Sequence, residues 1–394
     1  MFFSIMLWLF IITLIITLFK LLNIKKNYLI CFLITFLIIL FIINMEGCII
    51  AAINGANLVV RAILPTIFPF TVICNLLISF DGINLYSKIL GPLFCRPLGL
   101  SKNCSFPIVA SFLCGYPLGA KYSSDLYNMG YIKKNEYKRL LNIASNAGPI
   151  FLIGSIGAAM LSSPLYGYIL LIANYSSLII VGFLTKKTSS ITHELPMTLP
   201  PYKEKKFGIA LKEAIENGIN TTLNVAAFVI LFSVIINIIK DSTYISTVFY
   251  NLEKFLNFPK DSIYSLFLGS IEFTNGCKLI ASSTLPINLK LSIISFICSF
   301  SGLSIIAQVS SFISKDNISI GKYAYWKLIQ GLVSFIITFV SSKLLLSSVP
   351  TSSIIRHHSI FNNIYVFILP LLFFLLITLI LKISCFIIKK LHVS

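Results

Sequence analysis

Charge is scarce in this sequence: charged residues make up 11% of 394, against about 25% in soluble proteins. Only 13 are acidic, and neither paired catalytic carboxylates nor a Ser/His/Asp set can be assembled from them, so an enzyme is not expected. The four histidines, His193, His357, His358 and His392, fall in loops or the tail without the i, i+4 pairing or cysteine partners of a zinc site. No metal site is expected. The nine cysteines are Cys31, Cys48, Cys74, Cys95, Cys104, Cys114, Cys277, Cys298 and Cys385. They contain no C-x-x-C, and most lie in or beside apolar segments, where cysteine acts as a small hydrophobe. No nucleotide fingerprint is present, and no cofactor is expected.

What the chain has in abundance is apolar surface: 57% hydrophobic residues and a mean hydropathy of +0.92. Uncharged runs at 27–45, 62–80, 103–120, 141–185, 217–239, 291–314, 328–342 and 359–381 mostly reach the ~20 residues that cross a bilayer. An all-α, polytopic transmembrane helical bundle of about eight to ten spans is expected. Residues 1–22 lack a basic start and an A-x-A-like cleavage site, which points to a retained first helix. The net charge of +18 comes largely from lysines in short loops, among them Lys20, Lys25, Lys26, Lys186, Lys187, Lys203, Lys205 and Lys206. That arrangement sets orientation and meets anionic lipid, so the expected partner is the bilayer and not nucleic acid. The basic loops at 20–27 and 185–206 are expected on the cytoplasmic side. Whether the chain forms an oligomer is left open.

The sequence repeats itself weakly. AINGAN at 52–57 is answered by AIENGIN at 214–220, matching Asn54, Gly55 and Asn57 with Asn217, Gly218 and Asn220. FTVICN at 70–75 answers FSVIIN at 232–237, Gly119-Ala120-Lys121 answers Gly276-Cys277-Lys278, and Ser145 with Gly148 answers Ser299 with Gly302. The same order in all four matches divides the chain into two N-terminal helices (1–46), a first repeat (47–184), a polar connector (185–208), a second repeat (209–347) and a C-terminal helix and tail (348–394).

Each repeat contains helix-breaking sequence inside an apolar span. Pro107, Gly115, Pro117 and Gly119 make a straight helix over 105–121 costly. The favoured reading is a re-entrant segment that dips in and returns, which makes the repeats inverted; the alternative is a kinked crossing helix. LPTIFPF at 64–70 places a further break, with Arg61 one turn earlier expected to reach an interface. Residues 122–140 carry six charges and are expected to form a solvated surface hairpin around Gly130.

Backbone that leaves the helix at membrane depth is tolerated where protein buries it or it lines a wet cavity, and paired breaks point to a transporter's binding site. The spacing Gly115-x-x-x-Gly119-Ala-Lys121 is wrong for a phosphate loop. The freed amides around Gly115, Tyr116, Pro117 and Gly119, followed by Lys121, suit an anion, whereas close helix packing explains the same glycines without any ligand. The corresponding stretch holds Glu272, Asn275, Gly276 and Lys278. Asn146 and Gly148 head one uncharged helix, and Ser301, Gly302 and Gln308 answer them in the second repeat, as hydrogen-bonding groups for a solute or as helix bridges. Glu272 is expected either to pair with Lys121 or Lys278 or to carry a coupling proton.

The order LPTIFPF, CGYPLGAK, NAGPIFLIG, IEFTNGC, GLSIIAQ resembles the bacterial sporulation integral membrane protein family YlbJ, also called stage V sporulation protein SpoVV, which carries the nucleoside recognition Gate domain. The resemblance covers roughly residues 45–345 and implies an architecture similar to concentrative nucleoside transporters. It further implies movement of dipicolinic acid, a small aromatic dianion, from mother cell to forespore across the outer forespore membrane. Where the family often has two adjacent asparagines before the Gly-Pro, this chain has Ser145-Asn146-Ala147, so the carry-over is to Asn146. Alternatives are a Gate-domain transporter of a nucleoside or other metabolite, and a non-transporting sporulation scaffold.

Overall fold

The computed structural model describes Thr13 and residues 26–186 and 205–346. The expected first helix, most of the polar connector, the last helix and all four histidines lie outside the described residues. Among the described residues there is helix and no strand, as the apolar composition and the need to satisfy every backbone group within the membrane require.

Helix α1 (Lys26–Ile43) turns by 99° at Asn44 into α2 (Met45–Leu58). A widened π-helical turn over Val59–Ile63 then leads into α3 (Leu64–Ser79). The expected break at LPTIFPF is therefore a widened turn within a continuing helix. Pro65 follows directly on this widened turn, and Arg61 sits in the π turn with its side chain exposed. After an 88° bend come α4 (Gly82–Ile89) and α5 (Gly91–Leu98), followed by α6 (Ser105–Cys114), α7 (Leu118–Asn128) and α8 (Lys134–Ile143). A π-helix over Ile150–Met160 precedes α9 (Pro164–Leu184).

The later half begins with the 34-residue α10 (Phe207–Lys240), then α11 (Thr243–Phe255), α12 (Ser262–Ile271) and α13 (Phe273–Ser282). It ends with α14 (Ile287–Phe300), α15 (Gly302–Phe312) and α16 (Ile320–Leu346). By length and composition, α9, α10, α14 with α15, and α16 can each cross a membrane, and counting the two bent pairs raises the described total to as many as six. The α9 and α14–α15 spans are mostly buried within the protein, while α10 and α16 expose most of their length. Phe94, Phe106, Phe112, Tyr122, Tyr137 and Tyr175 are the large rings of the core.

The stretch from α2 to α3 lies antiparallel along α10. At one end Asn44 and Asn237 both donate to the Asp241 carboxylate, each at 2.8 Å; at the other, Phe80 stacks on Phe207 with centroids 6.1 Å apart. Gly55 lies against Ile230 and Ser233, and Gly218 against Phe68 and Val72, so close that a methyl on either glycine would come within 3 Å of a neighbour. These glycines are matched repeat positions, and so are the ridges that they touch, since Phe70 corresponds to Phe232. The contact is reciprocal, and a matched pair that runs antiparallel is the arrangement of an inverted repeat.

Both broken segments fold back as hairpins. A straight helix would hold Ser111 and Gly119 about 12 Å apart, yet a methyl on Gly119 would collide with the Ser111 side chain and the Ala144 carbonyl. Phe106 near the start of α6 likewise meets Tyr122 in α7, centroids 5.4 Å apart. In the later half Gly276 of α13 packs directly on Gly269 of α12. The segment 105–121 thus dips and returns, and close packing accounts for Gly119 and Gly276.

Residues 122–140 depart from expectation. The turn at Gly130 is exposed, but Tyr122, Leu126, Tyr137 and Leu140 are fully buried. The cause is Asp316, a buried carboxylate in the loop between α15 and α16 that accepts from Ser124 at 2.7 Å and from the Tyr137 hydroxyl at 2.5 Å. Burial and the hydrogen bond to Asp316 raise the Tyr137 pKa, which keeps this hydroxyl a donor. The hairpin is a clamp between the two halves; Lys133 and Lys138 are exposed, while the Arg139 guanidinium turns inward to the Leu98 and Gly99 carbonyls.

Candidate functional site

Four chain breaks converge, two from each half. At the tip of the first hairpin Gly115 has φ +79° and ψ −166°, a conformation confined to glycine. A methyl there would lie 2.6 Å from the Gly148 amide nitrogen, so the tip rests on the Asn146–Pro149 break. The Tyr116 amide donates to the Asn146 carbonyl at 2.6 Å. Pro117, buried beside Tyr116, ends the turn and precedes α7. Asn146 is fully buried; its amide nitrogen donates to Ser111 Oγ at 3.0 Å, while Oδ1 has no protein partner.

The later half repeats this construction. Gly302, at φ +74°, lies 3.1–3.3 Å by its prospective Cβ from the Gly269 and Ile271 carbonyls and the Phe273 amide, so the break between α14 and α15 rests on the break between α12 and α13. Ser301 is buried and left-handed at φ +73°. The two hairpin tips then meet. Tyr116 packs edge-on against Phe273, centroids 5.1 Å apart, and Phe151 packs on the other side of Phe273 at 5.0 Å. Tyr116 and Phe273 are separated by the same 157 residues as Gly119 and Gly276.

A residue that the sequence reading passed over stands at this junction. Lys327 of α16 is fully buried, and its ammonium donates to the Ser145 carbonyl and to Gln330 Oε1, both at 2.6 Å. One turn earlier on the same helix, the Tyr323 hydroxyl bonds Ser145 Oγ at 2.6 Å. Among the described residues no carboxylate pairs with Lys327. Taking an ammonium out of water without a counter-ion costs several kcal/mol. In the sequence, the uncharged run at 328–342 starts just after Lys327, which leaves this residue outside the span. The helix in fact begins at Ile320, which places it inside. The better signal was the i, i+3 spacing of Lys327 and Gln330 on one helix face.

The expected lysines are elsewhere. Lys121 forms an ion pair with Asp125 on its own helix at 2.8 Å and lies over the Tyr122 ring, and Lys278 is exposed. Glu272 pairs with neither, which corrects the expected salt bridge. Its carboxylate instead caps α13, accepting from the Thr274 amide at 3.1 Å, the Asn275 amide at 2.8 Å and the Asn275 side chain at 2.9 Å. The cause is local: with Glu272 in an extended conformation just before Phe273, its own side chain reaches the free N–H groups of the helix start. The amides at this second break are thus occupied by a carboxylate of the chain itself. Gln308 is buried with Oε1 unpaired, as are the hydroxyls of Tyr116, Ser299 and Ser304. Buried polar atoms are ordinarily satisfied, so this concentration of unpaired groups sets the region apart from ordinary helix packing.

Comparisons with known proteins bear on the family. Residues 60–143, which include the first hairpin, match the family described as Gate, nucleoside recognition. The chain is 25% identical over 301 residues to the sporulation integral membrane protein YlbJ of Bacillus subtilis (strain 168), covering 71% of this chain and 74% of that protein. No solved structure matches. The chain is a multi-pass helical membrane protein whose residues 60–143 match the Gate family and which is similar over most of its length to the sporulation integral membrane protein YlbJ.

Proposed function

We propose that this protein is a sporulation membrane transporter of a small organic anion, dipicolinate moving from mother cell to forespore across the outer forespore membrane. The observation that carries the reading is the tip-to-tip meeting of two fold-back hairpins, one from each half, at Tyr116 and Phe273. Paired interruptions at the interface of inverted repeats are where secondary transporters bind their substrates. Three aromatic rings at that point suit a flat ring, and the charged side chain that holds the nearby Ser145 carbonyl is a buried cation, Lys327. Likeness to a sporulation membrane protein supplies the biological setting.

A nucleoside is the second reading, favoured by the Gate description itself and by unpaired Asn146 Oδ1 and Gln308 Oε1, which can accept from a neutral base. Purified protein in liposomes separates the two. We expect uptake of pyridine-2,6-dicarboxylate that excess uridine does not inhibit and simple dicarboxylates inhibit weakly. Uptake of uridine with no carboxylate uptake would transfer the assignment to the second reading, and uptake of neither would leave a scaffold.

A further inference from the structure

We propose that Lys327 and Gln330 form the carboxylate-binding pair of this site, so that the missing counter-ion of the buried lysine is the transported anion. The inference rests on the transporter reading and adds the groups that select for charge.

The argument begins with donor accounting. An ammonium has three N–H donors, and Lys327 uses two, on the Ser145 carbonyl and on Gln330 Oε1. Because the Gln330 oxygen faces the lysine, its amide nitrogen is left as a donor, and that Nε2 is buried with no protein acceptor. One remaining ammonium N–H therefore stands beside an unused amide N–H, all within a fully buried environment. Two adjacent donors, one of them charged, match the two oxygens of a carboxylate.

Position agrees with chemistry. Lys327 holds the carbonyl of Ser145, and the Tyr116 amide holds the carbonyl of the next residue, Asn146. The cation and the aromatic contact of Tyr116 with Phe273 are thus attached to consecutive peptides, whose Cα atoms lie about 3.8 Å apart. A molecule that places a carboxylate on Lys327 has aromatic faces within reach of its ring, which defines the class as planar aromatic carboxylates. The Tyr116 hydroxyl, buried and unpaired, is a further donor for a second carboxylate.

The same residues also admit a purely structural role, in which Lys327 ties α16 to the Asn146–Pro149 break, and the test separates the two. Binding and uptake of pyridine-2,6-dicarboxylate are compared with binding of the uncharged pyridine-2,6-dicarboxamide, in wild type, Lys327→Met and Gln330→Glu. For Lys327→Met we expect carboxylate affinity to fall by about tenfold or more, the loss of a charge-assisted hydrogen bond, with diamide binding retained and thermal stability equal or higher. Gln330→Glu supplies an internal counter-ion, and should abolish carboxylate uptake while leaving the protein folded and the diamide bound. Should Lys327→Met fail to reach the membrane, Gln330→Glu carries the test alone. Parallel loss of both ligands together with lower thermal stability would overturn the proposal in favour of a structural tie, as would unchanged carboxylate uptake in Gln330→Glu. Wild-type protein that takes up no carboxylate at all would instead remove the anion reading on which the proposal stands.

Discussion

Two ionisable side chains at the site behave oppositely, and the difference comes from what the backbone offers each. Glu272 stands where a helix begins and finds three N–H donors; Lys327 stands inside a helix whose own backbone is satisfied, and finds one foreign carbonyl and one side-chain amide. Glu272 is therefore a cap, and a proton carrier would have to release those bonds. Glu272→Gln leaves a single acceptor oxygen, so it keeps the bond from either the Thr274 or the Asn275 amide, loses the other, and removes the negative charge at the helix start. We expect a loss of about 0.5–2 kcal/mol, the range for weakened N-caps, with the response of uptake to a pH gradient unchanged. Abolition of that response in a variant of normal thermal stability would show that Glu272 carries protons after all. That such a residue would matter was legible in the sequence, because a carboxylate in an apolar span is conspicuous. Its partner was not, since a cap is recognised from the conformation of one residue, and charge pairing was the only partner that spacing could suggest.

At the scale of elements, the antiparallel run of α2 and α3 along α10 fixes which ends share a side of the membrane. At roughly 50 Å each of the two exceeds a bilayer's ~30 Å core, so both ends of the pair emerge. Asp81 and Lys205 then lie on one side, and Asn44 and Asp241 on the other. With the basic connector cytoplasmic, cysteines introduced at Asp81 and Lys205 in an otherwise cysteine-free variant should react with an impermeant reagent from the cytoplasmic face, and one introduced at Asp241 from the opposite face. Equal labelling at Lys205 and Asp241 would refute the arrangement. The breaks themselves were legible, since Gly115 and Gly302 stand where only unusual backbone fits. The depth of the 122–140 hairpin was not, because its apolar face packs into the core and one group that ties it there, Asp316, lies 176–194 residues further along the chain, whereas composition records only the charges.

Seen whole, the molecule is two halves that meet along α10, at the hairpin tips, at the Asp316 clamp, and where α16 packs on α9 and bonds to Ser145. Matched motifs made the two halves visible in the sequence. Which surfaces they use against each other became visible only with Gly55 on the ridge of Ile230 and Ser233, and Gly218 on the ridge of Phe68 and Val72.

That reciprocity has a consequence for how the chain can be cut. Each half carries both a notch, its glycine, and the ridge that fills the other half's notch, so recognition is encoded in the surfaces and the peptide joining them is dispensable. A gene divided within 190–200 should give two fragments that complement each other when made together in one membrane, restoring wild-type uptake. Neither fragment alone should transport. The earlier fragment, holding Gly55 together with Phe68 and Val72, should then pair with a copy of itself and migrate as a dimer in mild detergent. Failure of the two fragments to co-purify would mean that the connector does more than join.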